Sequence, residues 1–118
     1  MKTVIIVDDS DTNLAMAEEA IEDHFRVLTV PSAAKMFALL EKVKPDLILL
    51  DIEMPEMNGF EALERLKSQD SSSNIPVLFL TGTINDSIKE KSEKLGALDI
   101  IAKPFSPESL LNQINSHI

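Results

Sequence analysis

Four short aliphatic runs in this chain stop at a polar residue that an apolar core would not ordinarily receive. Thr3–Val7 runs into Asp8 and Asp9, Asp46–Leu50 into Asp51, Val77–Leu80 into Thr81, and Leu98–Ala102 into Lys103. A fifth run, Arg26–Val30, has no such ending. Runs of this length, rich in Val, Ile and Leu, read as strands, and three of them are almost purely aliphatic, as strands covered on both faces must be. Between them the apolar residues change to helical spacing: Leu14, Ala17 and Ile21; Ala33, Phe37 and Leu40; Phe60, Leu63 and Leu66; Ile88 and Leu95; Leu110, Leu111 and Ile114. Five strands alternating with five helices predict an α/β fold with a central parallel sheet. Because βα crossovers are right-handed, the simplest assembly is a doubly wound, three-layer sandwich with helices on both faces of the sheet.

Local chemistry places the boundaries. Ser32 can cap the second helix, with Pro31 before it and Pro45 behind the helix ending the neighbouring segments. Ser106 and Pro107 fit the N-cap and first turn of the last helix, and Asn85 reads as a cap for the fourth. Asn58-Gly59 predicts a tight turn, and the polar stretch 69–74 a surface loop. With 118 residues and no internal repeat, the expectation is one domain over residues 1–118.

In an open parallel sheet, ligands bind outside the carboxyl ends of the strands, so the polar endings converge on one site. Three carboxylates held together repel by about 4 kcal/mol per close pair at an effective dielectric of about 20, which calls for a cation. A hard divalent ion suits that donor set. Thr81 and Lys103 add a hydroxyl donor and a positive charge, which suit an anion carried on one of the carboxylates. The combined reading is a magnesium-assisted aspartyl-phosphate site.

Composition narrows the alternatives. Eleven basic against twenty acidic side chains give a net charge of −9, which argues against direct nucleic-acid or anionic-membrane binding. The chain has no Cys, hence no thiol nucleophile or thiolate ligand, and its first apolar run is too short for a signal peptide or membrane span. These features lead to the expectation of a cytoplasmic protein. His24 and His117 have no acid or histidine at ligand spacing and read as surface residues.

Taken in order, Val7-Asp8-Asp9-Ser10, Leu49-Leu50-Asp51 through Met54-Pro55 to Asn58-Gly59, Leu80-Thr81-Gly82 and Lys103-Pro104-Phe105 resemble the receiver domains of two-component response regulators. The resemblance covers essentially the whole chain. It implies a sheet of order 2-1-3-4-5, Asp51 as the phosphoacceptor, and Mg2+ held by Asp9 and Asp51 directly, by Asp8 through water and by the Glu53 backbone carbonyl. It further implies that Thr81 and Lys103 bind phosphoryl oxygens and that the Lys103–Pro104 peptide is cis. A sensor histidine kinase or phosphotransfer protein would be the donor, and a downstream protein or effector domain the recipient of the signal. The domain would then be a signalling switch catalysing only its own phosphorylation and dephosphorylation, with possible phosphorylation-dependent dimerisation through the fourth and fifth helices. Ile100 stands where the family often has Tyr or Phe, so with Thr81 it marks the expected switch position. Asn58 stands where the family often has Asp. Glu53 and Thr83 lie two residues beyond Asp51 and Thr81, positions that in this family influence how fast water reaches the acyl phosphate.

Other readings exist for the same residues. Asp9-Ser10-Asp11 resembles the first motif of haloacid-dehalogenase-type phosphohydrolases, but Asn13 breaks that motif and Asp51 would have no role. A receiver that signals by binding alone, without phosphorylation, is a second alternative. A flavin carrier of the same topology would need a hydroxyl-rich phosphate loop and stacking aromatics, and the chain has no Trp or Tyr.

Overall fold

The computed structural model describes residues 1–118. Five strands and five helices alternate: β1 (Thr3–Val7), α1 (Asp11–Ile21), β2 (Arg26–Val30), α2 (Ala33–Leu40), β3 (Leu47–Asp51), α3 (Gly59–Lys67), β4 (Val77–Thr81), α4 (Asp86–Leu95), β5 (Asp99–Ala102) and α5 (Pro107–Asn115). All four strand pairings are parallel, in the order β2-β1-β3-β4-β5. The fold is flavodoxin-like, as the polar strand endings and the family resemblance imply.

Each helix starts on a Ser or Asn whose side chain accepts a hydrogen bond from a backbone N–H one turn into the helix. These N-caps are Ser10, Ser32, Asn58, Asn85 and Ser106. Such a cap stabilises by about 1 kcal/mol. At Asn58 the Glu61 carboxylate also returns to the Asn58 N–H, closing a capping box. Gly96 ends α4 in the left-handed region at φ 97°, which only glycine adopts cheaply.

Every residue of the three central strands, β1, β3 and β4, is buried. Their side chains alternate between two cores. Ile5, Val7, Ile48, Leu50, Val77 and Phe79 meet α2 and α3, with Ile88 and Leu95 of α4 packed at the margin. Val4, Ile6, Leu47, Leu49, Leu78 and Leu80 meet Leu14, Ala17 and Ile21 of α1 and Leu110 and Ile114 of α5. Two faces must be filled by one chain, so neither strand parity can be polar, and the aliphatic runs follow. Phe60 and Phe79 meet edge to face with ring centroids 5.4 Å apart.

Several local expectations shift. Asp51 and Thr81 are the last residues of their strands, not the first residues beyond them. Asp46 lies before β3, its carboxylate accepting from the Thr3 N–H at 2.8 Å, and Leu98 lies before β5 with its side chain exposed. In α2 the fully buried residue is Met36, while Phe37 is half-buried under the Arg65 guanidinium. Asn58-Gly59 opens a helix, and glycine is needed there for space. A Cβ on Gly59 would sit 2.4 Å from the Asp51 carbonyl oxygen and 2.8 Å from the Ile52 Cα. His117 is paired: its Nε2 lies 3.0 Å from the Asp99 carboxylate, a partner eighteen residues away that ligand-spacing arguments do not reach.

Candidate phosphoryl-acceptor site

The register of the sheet builds the site. Val7 pairs with Leu50, which puts Asp8 level with Asp51 at the ends of neighbouring strands. Asp51 pairs with Leu80, so Thr81 lies one step further on, and Thr81 pairs with Ala102, just before Lys103. The sheet ladder extends past the strand ends: Asp8 N–H donates to the Val30 carbonyl at 3.2 Å and Lys103 N–H to the Thr81 carbonyl at 2.9 Å. Four side chains from four strand ends are thereby held by backbone hydrogen bonds.

Asp8 and Asp51 are each 1% exposed and Thr81 is fully buried, whereas Asp9 stands at the solvent edge. The Lys103 ammonium donates to Asp51 Oδ1 at 3.0 Å and to Asp8 Oδ2 at 3.3 Å. The other acceptor positions of the carboxylates are partly filled by backbone. Ser10 N–H donates to Asp8 Oδ1 at 2.9 Å and Glu53 N–H to Asp51 Oδ1 at 3.3 Å. The Lys103–Pro104 peptide bond is cis.

Burial pushes the Asp51 carboxyl up to about 6, aided by the neighbouring Asp8 charge and opposed by the hydrogen bond and charge of Lys103 and by the Glu53 N–H. Burial alone would push Lys103 down, but its hydrogen bond to Asp51 and the two carboxylate charges together hold it above the usual lysine value. Lys103 therefore stays cationic at neutral pH, and it is the only protein cation within ion-pair distance of these carboxylates.

Carboxylate oxygens of Asp8, Asp9 and Asp51 lie within 4.8 Å of one another. A set of three hard oxygen donors beside open solvent suits a small divalent cation that keeps some of its waters. The donor set offers nothing to a soft metal, since no Cys exists and neither His is in the cluster.

Glu53 has a role that spacing did not reveal. The Thr81 hydroxyl lies 2.7 Å from Glu53 Oε1, to which it donates, with the Thr83 carbonyl a second acceptor at 3.1 Å, and Thr81 Oγ1 itself accepts from the Thr83 N–H at 3.1 Å. No periodic signal links two residues 28 apart on different strand ends. Ile100 is half-buried on β5, packed against the α2–α3 core, with its carbonyl accepting from Gln113 Nε2 at 3.2 Å. It lies outside the carboxylate cluster, one strand away from Thr81 in the register.

The chain is similar to known proteins in sequence and in fold. The response regulator receiver domain family matches residues 4–115. PilH of Pseudomonas aeruginosa is 36% identical over 117 residues, covering 98% of this chain and 97% of that protein. A probable cyclic di-GMP phosphodiesterase of Vibrio cholerae is 35% identical over 116 residues, which are 98% of this chain and only 26% of that protein. The chain thus spans about a quarter of that relative and nearly all of PilH. The solved structure of the Vibrio cholerae chemotaxis protein CheY4 superposes with a TM-score of 0.95 at 30% identity, covering 100% of this chain and 99% of that one. On the family match, the relatives and the shared fold, the chain belongs to the response regulator receiver domains, the signalling domains of two-component systems.

Proposed function

We propose that Asp51 is the phosphoacceptor of a phosphorylation-driven switch, fed by a sensor histidine kinase or a histidine phosphotransfer protein. The observation that carries this reading is the convergence of Asp51, Asp8, Lys103 and Thr81 at four strand ends, with Lys103 bridging the two buried aspartates at 3.0 and 3.3 Å. An Asp51 carboxylate oxygen attacks the donor phosphorus and the P–N bond to the donor imidazole breaks, the ring nitrogen regaining its proton from solvent. Lys103 swings from the aspartates to a phosphoryl oxygen, and Thr81 turns its hydroxyl from Glu53 to another.

The acidic cluster fits Mg2+, which Asp8, Asp9, Asp51 and the Glu53 backbone carbonyl would hold. When bound it supplies positive charge against the transferring phosphoryl oxygens. Catalysis by this chain is confined to its own phosphorylation and dephosphorylation. Reorientation of Thr81, with the Ile100 side chain behind it, favours one of two pre-existing arrangements of the 81–87 loop and the α4–β5–α5 surface. That surface would meet a downstream partner or a second copy, in the cytoplasm and without direct contact to nucleic acid or membrane.

The test is incubation with Mg2+ and acetyl phosphate followed by peptide-level mass spectrometry. A base-labile phosphoryl group on Asp51, absent from Asp51→Asn, is the expected result. Label on Asp9 instead would overturn the assignment in favour of dehalogenase-type chemistry.

A further inference from the structure

A cleft of about 660 Å3 lies away from the acidic site, and none of the phosphoacceptor residues lines it. Its walls are the end of α2 with the loop into β3 and the end of α3 with the turn into β4. Those connections enter β3 and β4 at their first residues, whereas Asp51 and Thr81 end the same strands. Five strand residues span about 16 Å, so the cleft and the carboxylate site sit at opposite ends of the sheet.

The cleft has its own chemistry. Phe37, Leu40, Val43 and Ile75 give the lining an apolar part, Lys42 and Lys44 come from the α2–β3 connection and Arg65 from α3. Glu41 is the one carboxylate among the lining residues, a ratio of three cations to one anion in a chain with eleven cations to twenty anions. None of the three cations forms an ion pair. The Arg65 guanidinium lies 4.2 Å from the centre of the Phe37 ring, a stacked placement that orients it and leaves its N–H edge free for a carboxylate.

We infer that this cleft docks a short acidic segment of a partner protein, with an apolar side chain of that segment against Phe37 and its carboxylates against Lys42, Lys44 and Arg65. The size of the ligand follows from the charge of the whole molecule. A bilayer or a nucleic acid presents anions over a wide front and meets the net charge of −9 that surrounds the cleft. A short segment touches only the local excess of positive charge, since screening at physiological salt cuts in at about 8 Å. An isolated phosphate would leave the apolar part of the lining unused, since Phe37, Leu40, Val43 and Ile75 line the cleft with the three cations. The location makes docking independent of phosphorylation, a constitutive tether at one end of the sheet and a switch at the other.

The test is a titration of the 15N-labelled 118-residue chain with a synthetic peptide carrying a Leu-Leu pair flanked on both sides by Asp and Glu. Saturable shifts are expected at Ala38, Lys42, Lys44 and Ser71. Affinity should fall about tenfold in Lys44→Glu and in Arg65→Glu, and by less than about twofold in Lys89→Glu, which makes the same charge change on α4. Beryllofluoride, a phosphoryl mimic at the other end of the sheet, should leave the affinity unchanged, so failure here is separable from failure of the phosphoacceptor assignment. Shifts confined to other surfaces, or equal weakening by Lys89→Glu, would overturn the inference. Inorganic phosphate or phosphatidylglycerol vesicles producing the same shifts as the peptide would overturn it in favour of a simple anion site or a lipid surface.

Discussion

Thr81 and Glu53 are joined by a 2.7 Å hydrogen bond from hydroxyl to carboxylate across the mouth of the acidic site. A hydroxyl has a single proton, so while Thr81 donates to Glu53, or to the Thr83 carbonyl 3.1 Å away, it cannot also donate to a phosphoryl oxygen on Asp51. Glu53 is exposed and its carboxylate is easily rehydrated, so this competition is a modest one. Its sign is nonetheless defined: Glu53 stabilises the arrangement in which Thr81 faces away from the acceptor.

Glu53→Ala should therefore favour the activated arrangement. Loss of a hydrogen bond worth about 1 kcal/mol corresponds to roughly a fivefold gain in beryllofluoride affinity in the presence of Mg2+. Removing a negative charge from beside the phosphoryl position acts in the same direction. Calorimetric titration of the variant and the parent chain gives the two constants. Equal affinities would mean that Glu53 does not hold Thr81 in solution.

The raised Asp51 carboxyl makes a stability prediction in metal-free buffer. Its value is about 6 in the folded chain against 3.8 as the ordinary reference, so the folded state binds the proton more tightly. Between these values the folded state carries more protons than the unfolded one, and stability contributed by this group falls as pH rises from about 4 to about 6. Above that window the cost is complete, on the order of 3 kcal/mol. Denaturant midpoints in EDTA should show this descending limb, and Asp51→Asn should flatten it. Proton competition at the same carboxyl should also weaken Mg2+ binding as pH drops below about 6.

Much of this site is legible in the sequence because the sheet is parallel. Strand ends on one edge are brought together by topology alone, and the aliphatic runs locate those ends to within one residue, as at Asp51 and Thr81. Contacts that depend on side-chain direction are not legible. The Thr81–Glu53 and His117–Asp99 pairs join residues 28 and 18 apart through rotamers that no periodic pattern records. The α2 stripe of Ala33, Phe37 and Leu40 packs on the core as expected but leaves out Met36, the most completely buried side chain of that helix, because Met36 and Phe37 are both large and apolar and only tertiary packing distinguishes them. The need for Gly59 is likewise tertiary, arising from the backbone of Asp51 and Ile52 above it.

Lys103→Met isolates the ammonium from the rest of the site. Lys103 bridges Asp51 and Asp8 from the position of a counter-ion, and a divalent cation binding those carboxylates has to work against its charge. With the lysine gone, Mg2+ affinity at pH 9 should rise, by about tenfold given the few kcal/mol of repulsion at an effective dielectric of about 20 and partial escape of the flexible side chain. The high pH matters, because loss of Lys103 also removes an influence that lowers the Asp51 value. Phosphorylation by acetyl phosphate should fall even as metal binding improves. A parallel fall in both would show that Lys103 positions the carboxylates for the metal and does not compete with it.

Gly59→Ala tests how tightly the fold and the site are bound together. The new methyl would lie 2.4 Å from the Asp51 carbonyl oxygen, 2.8 Å from the Ile52 Cα and 3.1 Å from the Asp51 carbonyl carbon. All three are backbone atoms, so no side chain can rotate aside. The Gly59 N–H also donates to the Ile52 carbonyl at 2.8 Å, which anchors the start of α3 to the segment that carries Asp51. Relief requires either α3 to back out of its core, where Phe60, Leu63 and Leu66 are buried, or the end of β3 to shift. Overpacking of this kind typically costs about 1–3 kcal/mol, against at most about 1 kcal/mol gained from alanine's better helix propensity. The expected result is a lower thermal midpoint together with a loss of Mg2+ affinity larger than that of a control such as Leu63→Val, which loosens the same core without touching the Asp51 backbone. If Gly59→Ala lowers stability while metal binding stays intact, α3 moves alone and the end of β3 is held by the sheet.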